Sequence, residues 1–178
     1  RQAEILGLRW RDVDLDARRL SVRQTLQRVR REIIVKEPKS RAGRRSIALS
    51  PTMVASLRRE RARQAERKLR LGAAWAKERG LVFTSAAGTP LDDSALRRAF
   101  QKFLAGAGLP RIRFHDLRHT HATLLLAQNV HPKIVSERLG HANVQITLDT
   151  YSHVLPNLQA QAAEAFDAIL NGAHPQTS

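Results

Sequence analysis

The sequence predicts a mainly α-helical chain with a small antiparallel β-sheet near its N-terminus, an α+β fold. Residues 20–29, 32–36 and 46–49 are rich in β-branched and apolar side chains, as strands are. From residue 50 onward, apolar residues recur at helical spacing between Pro and Gly boundaries. The 178 residues suffice for one buried core, and no apolar run approaches the length of a membrane span, so we expect a soluble protein.

Short elements are predicted for the first third of the chain. Residues 1–10 open with a helical segment, and residues 12–16 form a turn. Residues 20–29 and 32–36 pair as a hairpin, and residues 46–49 add a third strand after a basic loop. One small antiparallel sheet is expected from this pattern.

Helices are predicted for most of the remaining chain. Ser50 as N-cap and Pro51 in the first turn begin a helix that runs to residue 71 with a basic, solvated outer face. Residues 80–83 form a short extended piece. Asp92 or Asp93 then caps a helix that ends at the glycines after residue 104.

Further helices follow toward the C-terminus. Residues 115–128 have the apolar spacing of a buried helix, Pro132 begins another that Gly140 ends, and residues 144–153 form a short one. Residues 158–170 place their apolar side chains on one stripe, so an amphipathic helix closes the fold.

Charge and cysteine content narrow the function classes. The chain has 31 Lys and Arg against 16 Asp and Glu, a formal charge of +15 that attracts polyanions, so nucleic acid is the expected partner. The alternative is that the arginine excess reflects coding bias or a solvated surface. The absence of cysteine excludes a disulfide framework, a thiolate zinc site and a cysteine nucleophile, and it favours a cytoplasmic location.

Tyr151 is the only tyrosine and a candidate nucleophile. It lies in QITLDTYSHV, a polar-flanked segment in which a phenol gains little from burial. The alternative is a packing residue whose hydroxyl is hydrogen-bonded. Its meaning therefore depends on which residues surround it in the fold.

The segment RFHDLRHTHATLL offers a phosphate site. His115 and Arg118 are three residues apart, so on a helix they face the same spot with a bidentate donor and a group that handles protons. A chance surface pair is the alternative. In RLGHANVQITLDTY, His141 follows Gly140, where a polar side chain can point into a cleft, although a capping or surface role is also open.

A metal site in this segment is not expected. His115, His119 and His121 lie within one short helix, but only the first two share a face at i, i+4. Asp116, the nearest carboxylate, points elsewhere, so the ligand set for zinc is incomplete.

These segments resemble the tyrosine recombinase (phage integrase) family. H-x-L-R-H-x-x-A-T, then L-G-H, then a tyrosine ten residues later is similar to the family's carboxy-terminal signature. Upstream, RQAEILGLRWRDVD resembles its first arginine box, and KSRAGRRSI resembles its lysine-bearing β-hairpin turn. The resemblance spans residues 1–151 and implies that family's catalytic-domain fold.

The resemblance also implies how a phosphodiester would be cut. Arg1 and Arg118 would clamp the non-bridging oxygens of the scissile phosphate, and His141 would add a contact to it. Tyr151 would attack and form a 3′-phosphotyrosyl link, which conserves bond energy so that rejoining needs no ATP. Because two guanidinium groups stabilise the developing charge, neither a metal nor a cofactor is expected.

Proton transfer would fall to other residues. Lys39 would be the general acid for the departing 5′ oxygen; Lys36 is the nearby competitor, but Lys39 matches the family's spacing. His115 would lie beside the nucleophile as proton acceptor or hydrogen-bond partner. Four more residues would support the site without contacting phosphate: Glu4, Asp116, His119 and Thr120.

The resemblance places residues 1–171 in a catalytic domain that is truncated at its N-terminus, without the family's amino-terminal DNA-binding module, and leaves residues 172–178 as a disordered tail. Because Arg1 would then occupy a frayed end, we expect this fragment alone to bind DNA but recombine weakly. The helix over residues 158–170 either packs on its own domain or docks on a neighbouring protomer, giving a tetramer on DNA.

The predicted function is that of a site-specific recombinase, or integrase, that acts on double-stranded DNA, with no membrane or small-molecule partner. Two alternatives stay open. Type IB topoisomerases use a similar residue set to relax DNA, and a DNA-binding regulator or architectural protein can descend from such an enzyme by losing catalysis.

Overall fold

The fold, taken from a computed structural model, is described for residues 1–30, 32–38, 40–76, 79–151 and 158–171. Helices account for about half of the described residues, and the strands among them all lie before residue 50, as predicted. The helices are α1 (Gln2–Leu6), α2 (Pro51–Leu71), α3 (Asp93–Gly106), α4 (Asp116–Ala127), α5 (Pro132–Leu139), α6 (Gln145–Tyr151) and α7 (Leu158–Leu170). The strands are β1 (Val13–Asp14), β2 (Arg19–Val22), β3 (Thr25–Val29), β4 (Glu32–Lys36) and β5 (Arg45–Ala48).

The small antiparallel β-structure predicted near the N-terminus is confirmed, and among the described residues its strands divide into two antiparallel sheets, in the orders β1-β2-β5 and β3-β4. The predicted strand over residues 20–29 breaks between Val22 and Thr25, and β5 pairs with β2 rather than with the hairpin. The cause is the packing of α1 on β3. A Cβ on Gly7, which follows α1, would lie 3.0 Å from backbone atoms of Thr25 and Leu26, so this close approach directs β3 away from β2.

The predicted turn over residues 12–16 lies later in the chain. Val13 and Asp14 are already paired with β2, and the chain reverses after them. The Asp14 carboxylate accepts hydrogen bonds from the backbone N–H of Asp16 at 3.1 Å and of Ala17 at 2.8 Å, which is how an aspartate stabilises a turn.

The starts of α2 and α3 confirm the predicted caps. The Ser50 hydroxyl accepts from the backbone N–H of Met53 at 3.3 Å, and the Asp92 carboxylate accepts from that of Ser94 at 2.8 Å. Between these helices, Leu81 and Val82 are buried where the chain pairs with residues near Arg9. Leu81 packs with residues of α1 and β3 in one core cluster.

A second core cluster joins α4, α5 and α6. Its buried members are Ala122, Leu126, Val135, Leu139 and Tyr151. The predicted stop of α5 is confirmed, and α6 is described as far as Tyr151, while residues 152 and 153 of the predicted helix lie outside the described residues. No helix within the described ranges combines the length and hydropathy that a membrane crossing requires.

The last helix, α7, exposes apolar side chains. Phe166, Ile169 and Leu170 are 62%, 66% and 68% exposed. The predicted amphipathic helix is therefore present, but these three side chains do not pack on the chain's own core.

Candidate active site

Four segments that are distant in sequence meet beside α4. They are the start of α1, strand β5, the turn after α5 and the end of α6. Arg1 Nη2 donates to the carbonyl oxygen of Gly140 at 3.0 Å, and the phenol oxygen of Tyr151 lies 2.7 Å from Nδ1 of His119 on α4. The structure thus brings Arg1, Arg118, His141 and Tyr151 to one place, whereas Lys39 lies outside the described residues.

A buried carboxylate connects α1 to β5. Glu4 accepts from Arg45 at 2.8 and 3.2 Å and from Arg1 Nη1 at 2.9 Å. Burial alone would raise the pKa of Glu4, but the hydrogen bonds and charge of Arg45 and the positive groups of Arg1 lower that pKa to about 2. We call Glu4 and Arg45 the clasp, because together they fix the position of Arg1.

Breaking the clasp should destabilise the protein. Glu4→Gln leaves the guanidinium of Arg45, whose side chain is 11% exposed, without its counter-charge, and we expect the free energy of unfolding to fall by about 3 kcal/mol in urea titrations. Glu137→Gln is the matched control, since Glu137 makes only an exposed pair with Lys133. Equal losses for both variants would contradict the role given to Glu4.

The turn after α5 also depends on the clasp residue Arg45, whose Nε donates to the carbonyl oxygen of Arg138 at 2.8 Å. Gly140 ends α5 with φ +70°, and a Cβ there would lie 2.9 Å from both the carbonyl oxygen of Ala42 and Nη1 of Arg45. Glycine is therefore required twice, for its backbone conformation and for space.

Gly140→Ala should cost more stability than the backbone conformation explains. We expect a loss of about 2 to 3 kcal/mol in thermal or urea unfolding, from left-handed strain plus displacement of Arg45. Gly108→Ala is the control, because Gly108 has φ +64° with nothing within 4 Å of the added Cβ, and it should lose only roughly 1 kcal/mol. A loss at position 140 no greater than at 108 would rule out the close-contact argument.

Arg118 has a buried donor without a partner. Nη2 of Arg118 makes no hydrogen bond to any described residue, although it is shielded from solvent. Burial, followed by the charges of Arg1 and Arg45, lowers the pKa of Arg118 to about 10, so the guanidinium is still charged at neutral pH. A buried, charged, unsatisfied donor is costly unless an anion binds it, so this atom indicates an oxyanion site.

His141 lies in the same positive field. Its Nδ1 is 2.8 Å from the hydroxyl of Thr147, a fully buried residue of α6, which fixes the ring. Burial first, and then the charges of Arg118 and Arg1, lower the pKa of His141 to about 4. The ring is therefore neutral at pH 7, and whichever nitrogen carries the proton can donate to an anion or to Thr147.

Stability should consequently fall on mild acidification. Because the folded pKa of His141 is about 4 against 6.5 for an unperturbed group, the unfolded chain takes up a proton that the folded chain refuses between those pH values. The melting temperature should drop from pH 7 to 5, and less so in His141→Gln. Burial also lowers the pKa values of His115 and His121, so part of the slope should remain. A slope unchanged in His141→Gln would contradict the assignment.

Tyr151 is held at the end of α6 with only 3% of its surface exposed. Burial raises the pKa of the phenol, and the charge of Arg118 partly opposes this rise. The phenol is therefore protonated at neutral pH, and it needs a proton acceptor before it can act as a nucleophile.

The residue that touches the phenol is His119, whereas the family resemblance implied His115 at this place. His115 precedes α4, and its ring lies 5.3 Å from that of His119, edge to face. His119, one turn further along α4, lies nearer to α6 and so reaches Tyr151. The shared helical face of the two histidines is visible in the sequence, but the packing of α6 against it is not.

Metal ligands are not grouped here. Within the described ranges, no three His, Asp or Glu side chains are arranged to hold a metal ion. Lys36, the competitor of Lys39, ends β4 and is exposed, whereas Lys39 lies outside the described residues.

Comparisons with known proteins identify one family. The model described as "Phage integrase family" matches residues 1–157. A tyrosine recombinase XerC-like protein of Caldanaerobacter subterraneus subsp. tengcongensis is 35% identical over 95% of the chain and 46% of its own length. The ICEBs1 integrase of Bacillus subtilis is 29% identical over 96% of the chain, again 46% of its own length. The chain thus spans about half the length of the curated relatives that it matches.

Solved structures share the fold. The Tn1549 transposon integrase in complex with transposon right end DNA superimposes with a TM-score of 0.69 and 25% identity, over 85% of this chain and 50% of that one. The same integrase with a circular intermediate DNA gives a TM-score of 0.74 at 22% identity, over 94% of this chain and 54% of that one.

Proposed function

The chain belongs to the phage integrase family, and from this premise we propose that it is the catalytic part of a site-specific recombinase that cleaves and rejoins double-stranded DNA through a 3′-phosphotyrosyl intermediate. The observation that carries the proposal is the buried, unpartnered Nη2 of Arg118 in the same site as the lone phenol of Tyr151. A scissile phosphate supplies the missing acceptor.

Phosphate binding would use Arg1, Arg118 and His141. Phosphoryl transfer spreads negative charge over the equatorial oxygens, and two guanidinium groups fixed beforehand stabilise that charge without reorganising. The clasp holds Arg1, and the turn ended by Gly140 holds His141. Neutral His141 donates one N–H, which would complete a set of donors around the phosphate.

The reaction would then proceed in two matched steps. The oxygen of Tyr151 attacks phosphorus, the bond from phosphorus to the 5′ oxygen breaks, and Lys39 gives that oxygen its proton. Rejoining reverses these events with a 5′ hydroxyl as nucleophile. His115, next to His119 and under the charge of Arg118, would complete the site.

Nonspecific DNA affinity would come from the charge of +15. Basic side chains on the outer face of α2, among them Arg59, Arg63 and Arg70, are exposed and would contact phosphates of the duplex. The Tn1549 integrase structures, solved with DNA, support this partner. Binding should weaken steeply as salt rises.

We assign the catalytic domain to residues 1–171. Since the matched relatives extend well beyond the matched region, full activity is proposed for the full-length protein rather than for this segment alone. Names such as integrase and recombinase among the relatives support recombination over DNA relaxation or a regulator without catalysis.

Self-association through α7 is part of the proposal. The exposed Phe166, Ile169 and Leu170 match an apolar groove of about 650 Å³ that adjoins Arg118 and is lined by side chains such as Ile47 and Met53. Docking of α7 on a second copy, toward a tetramer on DNA, would cover both surfaces. Removing residues after Asn157 should abolish assembly in solution mass measurements; loss of stability with unchanged assembly would indicate packing in cis instead.

The direct test of the function is to trap the covalent intermediate. The full-length protein is incubated with nicked duplex DNA that carries its attachment site, so that the short cleaved strand diffuses away and rejoining is blocked. We expect a denaturant-resistant adduct, with peptide mapping that locates the nucleotide on Tyr151. An adduct on another residue, or none on any DNA of the attachment region, would refute the proposal.

A further inference from the structure

We propose that His119 is a catalytic residue that accepts the phenolic proton of Tyr151 during attack and returns it during rejoining. The inference rests on the proposed function and deepens it, because it assigns the proton transfer at the nucleophile to a histidine other than His115. The observation behind it is the 2.7 Å distance between Nδ1 of His119 and the phenol oxygen.

Among the described residues, the phenol has a histidine as its hydrogen-bond partner. Tyr151 is 3% exposed, so bulk water does not compete for its hydroxyl. His119 is the hydrogen-bond partner of that hydroxyl within the part of the chain that the structure describes. The two rings are tilted by 50° with centroids 5.9 Å apart, so the hydrogen bond, and not ring stacking, joins the two side chains.

The neighbouring histidines have different partners. His141 is held by Thr147, and His115 meets the edge of the His119 ring, 5.3 Å between centroids at an interplanar angle of 72°. His115 is also under the charge of Arg118, which helps to lower its pKa after burial and His119. From these positions, His115 and His141 would contact the phosphate, and His119 would accept the proton of the nucleophile.

Each proton that moves during cleavage and rejoining has a donor and an acceptor. In the proposed step, the Nε2–H tautomer of His119 accepts the phenolic proton on Nδ1 as the phenol oxygen forms its bond to phosphorus. The bond to the 5′ oxygen breaks, and that oxygen takes a proton from the general acid. In rejoining, the 5′ hydroxyl attacks, the phenol oxygen leaves, and imidazolium returns the proton to it.

The test separates proton transfer from hydrogen bonding and from leaving-group protonation. His119→Asn places an amide oxygen near the position of Nδ1, so it can accept the hydrogen bond but cannot take the proton. Strand cleavage is measured with ordinary DNA and with DNA whose 5′ bridging oxygen is replaced by sulfur, because a thiolate leaves without a general acid. His131→Asn is the matched control, since His131 caps α5 on the surface and asparagine caps as well.

We expect His119→Asn to cleave both substrates at least about 100-fold more slowly than wild type, and His131→Asn to cleave both at the wild-type rate. The Lys39→Ala variant, in contrast, should cleave ordinary DNA slowly and should regain its cleavage rate on the sulfur substrate. In His119→Gly, added imidazole should restore cleavage, which keeps the test valid if the asparagine variant folds poorly.

Cleavage of the sulfur substrate by His119→Asn at the wild-type rate would overturn the inference. So would a result in which His115→Asn alone shows the defect on both substrates. In either case the wild-type adduct would still form and the proposed function would stand. Absence of any wild-type adduct would instead overturn the function itself, on which this inference depends.

Discussion

Tyr151→Phe is expected to abolish covalent attachment to DNA while leaving DNA binding intact. The substitution removes one oxygen from a side chain that otherwise packs with Leu126 and Val135 in the second core cluster. Without that oxygen, the proposed nucleophile is missing. The free energy of unfolding should change by only about 1 kcal/mol, the contribution of the lost hydrogen bond to His119.

Two measurements on the full-length protein check this result: denaturing gel electrophoresis for the adduct, and a mobility shift for DNA binding. The phenylalanine variant should give no adduct and an unchanged shift. Any adduct that persists would mean that a neighbouring hydroxyl, such as that of Thr150, is the nucleophile.

Arg118→Met should separate activity from stability. Losing one donor to the transition state should slow strand cleavage by about 100- to 1000-fold. The free protein, however, loses a buried charge whose Nη2 has no partner among the described residues, so its melting temperature should stay the same or rise. Functional sites commonly contain groups that lower the stability of the free protein in this way.

Arg138→Met is the matched control for that substitution. Nη1 of Arg138 donates to the carbonyl oxygen of Ala48 at 3.0 Å and its Nε lies 3.1 Å from Nε2 of His121, so methionine there should lower the melting temperature. Calorimetry on both variants, with cleavage rates from the nicked substrate, completes the comparison. A large destabilisation by Arg118→Met would contradict the view that the guanidinium of Arg118 is unsatisfied in the free protein and is satisfied when an anion binds.

Local signals in the sequence predicted the helices well. Ser50, Asp92 and Gly140 mark helix ends through contacts within a few residues, and such contacts need no knowledge of the rest of the fold. The sheets were predicted less well. The break before β3 lies where Gly7 closely approaches the backbone of the chain at the start of β3. No pattern within residues 20–29 predicts this approach.

The candidate site shows the same division. Arg118, His141 and Tyr151 were recognisable from spacing and resemblance, and the structure brings them together with Arg1. The contact of His119 with the phenol depends on how α6 packs on α4, and the partnership of Arg45 with Glu4 joins residues that no local pattern connects. Lys39 stays a prediction.

The clasp has a consequence for the cell. An enzyme proposed to break chromosomes is dangerous while incomplete, and here one guanidinium is fixed through contacts with residues 4 and 140, whereas the attacking oxygen comes from residue 151. A partly synthesised chain that lacks residues 140–151 cannot align these groups. On the proposed function, strand cleavage would therefore begin only after both regions have folded together, and no separate inhibitor would be required.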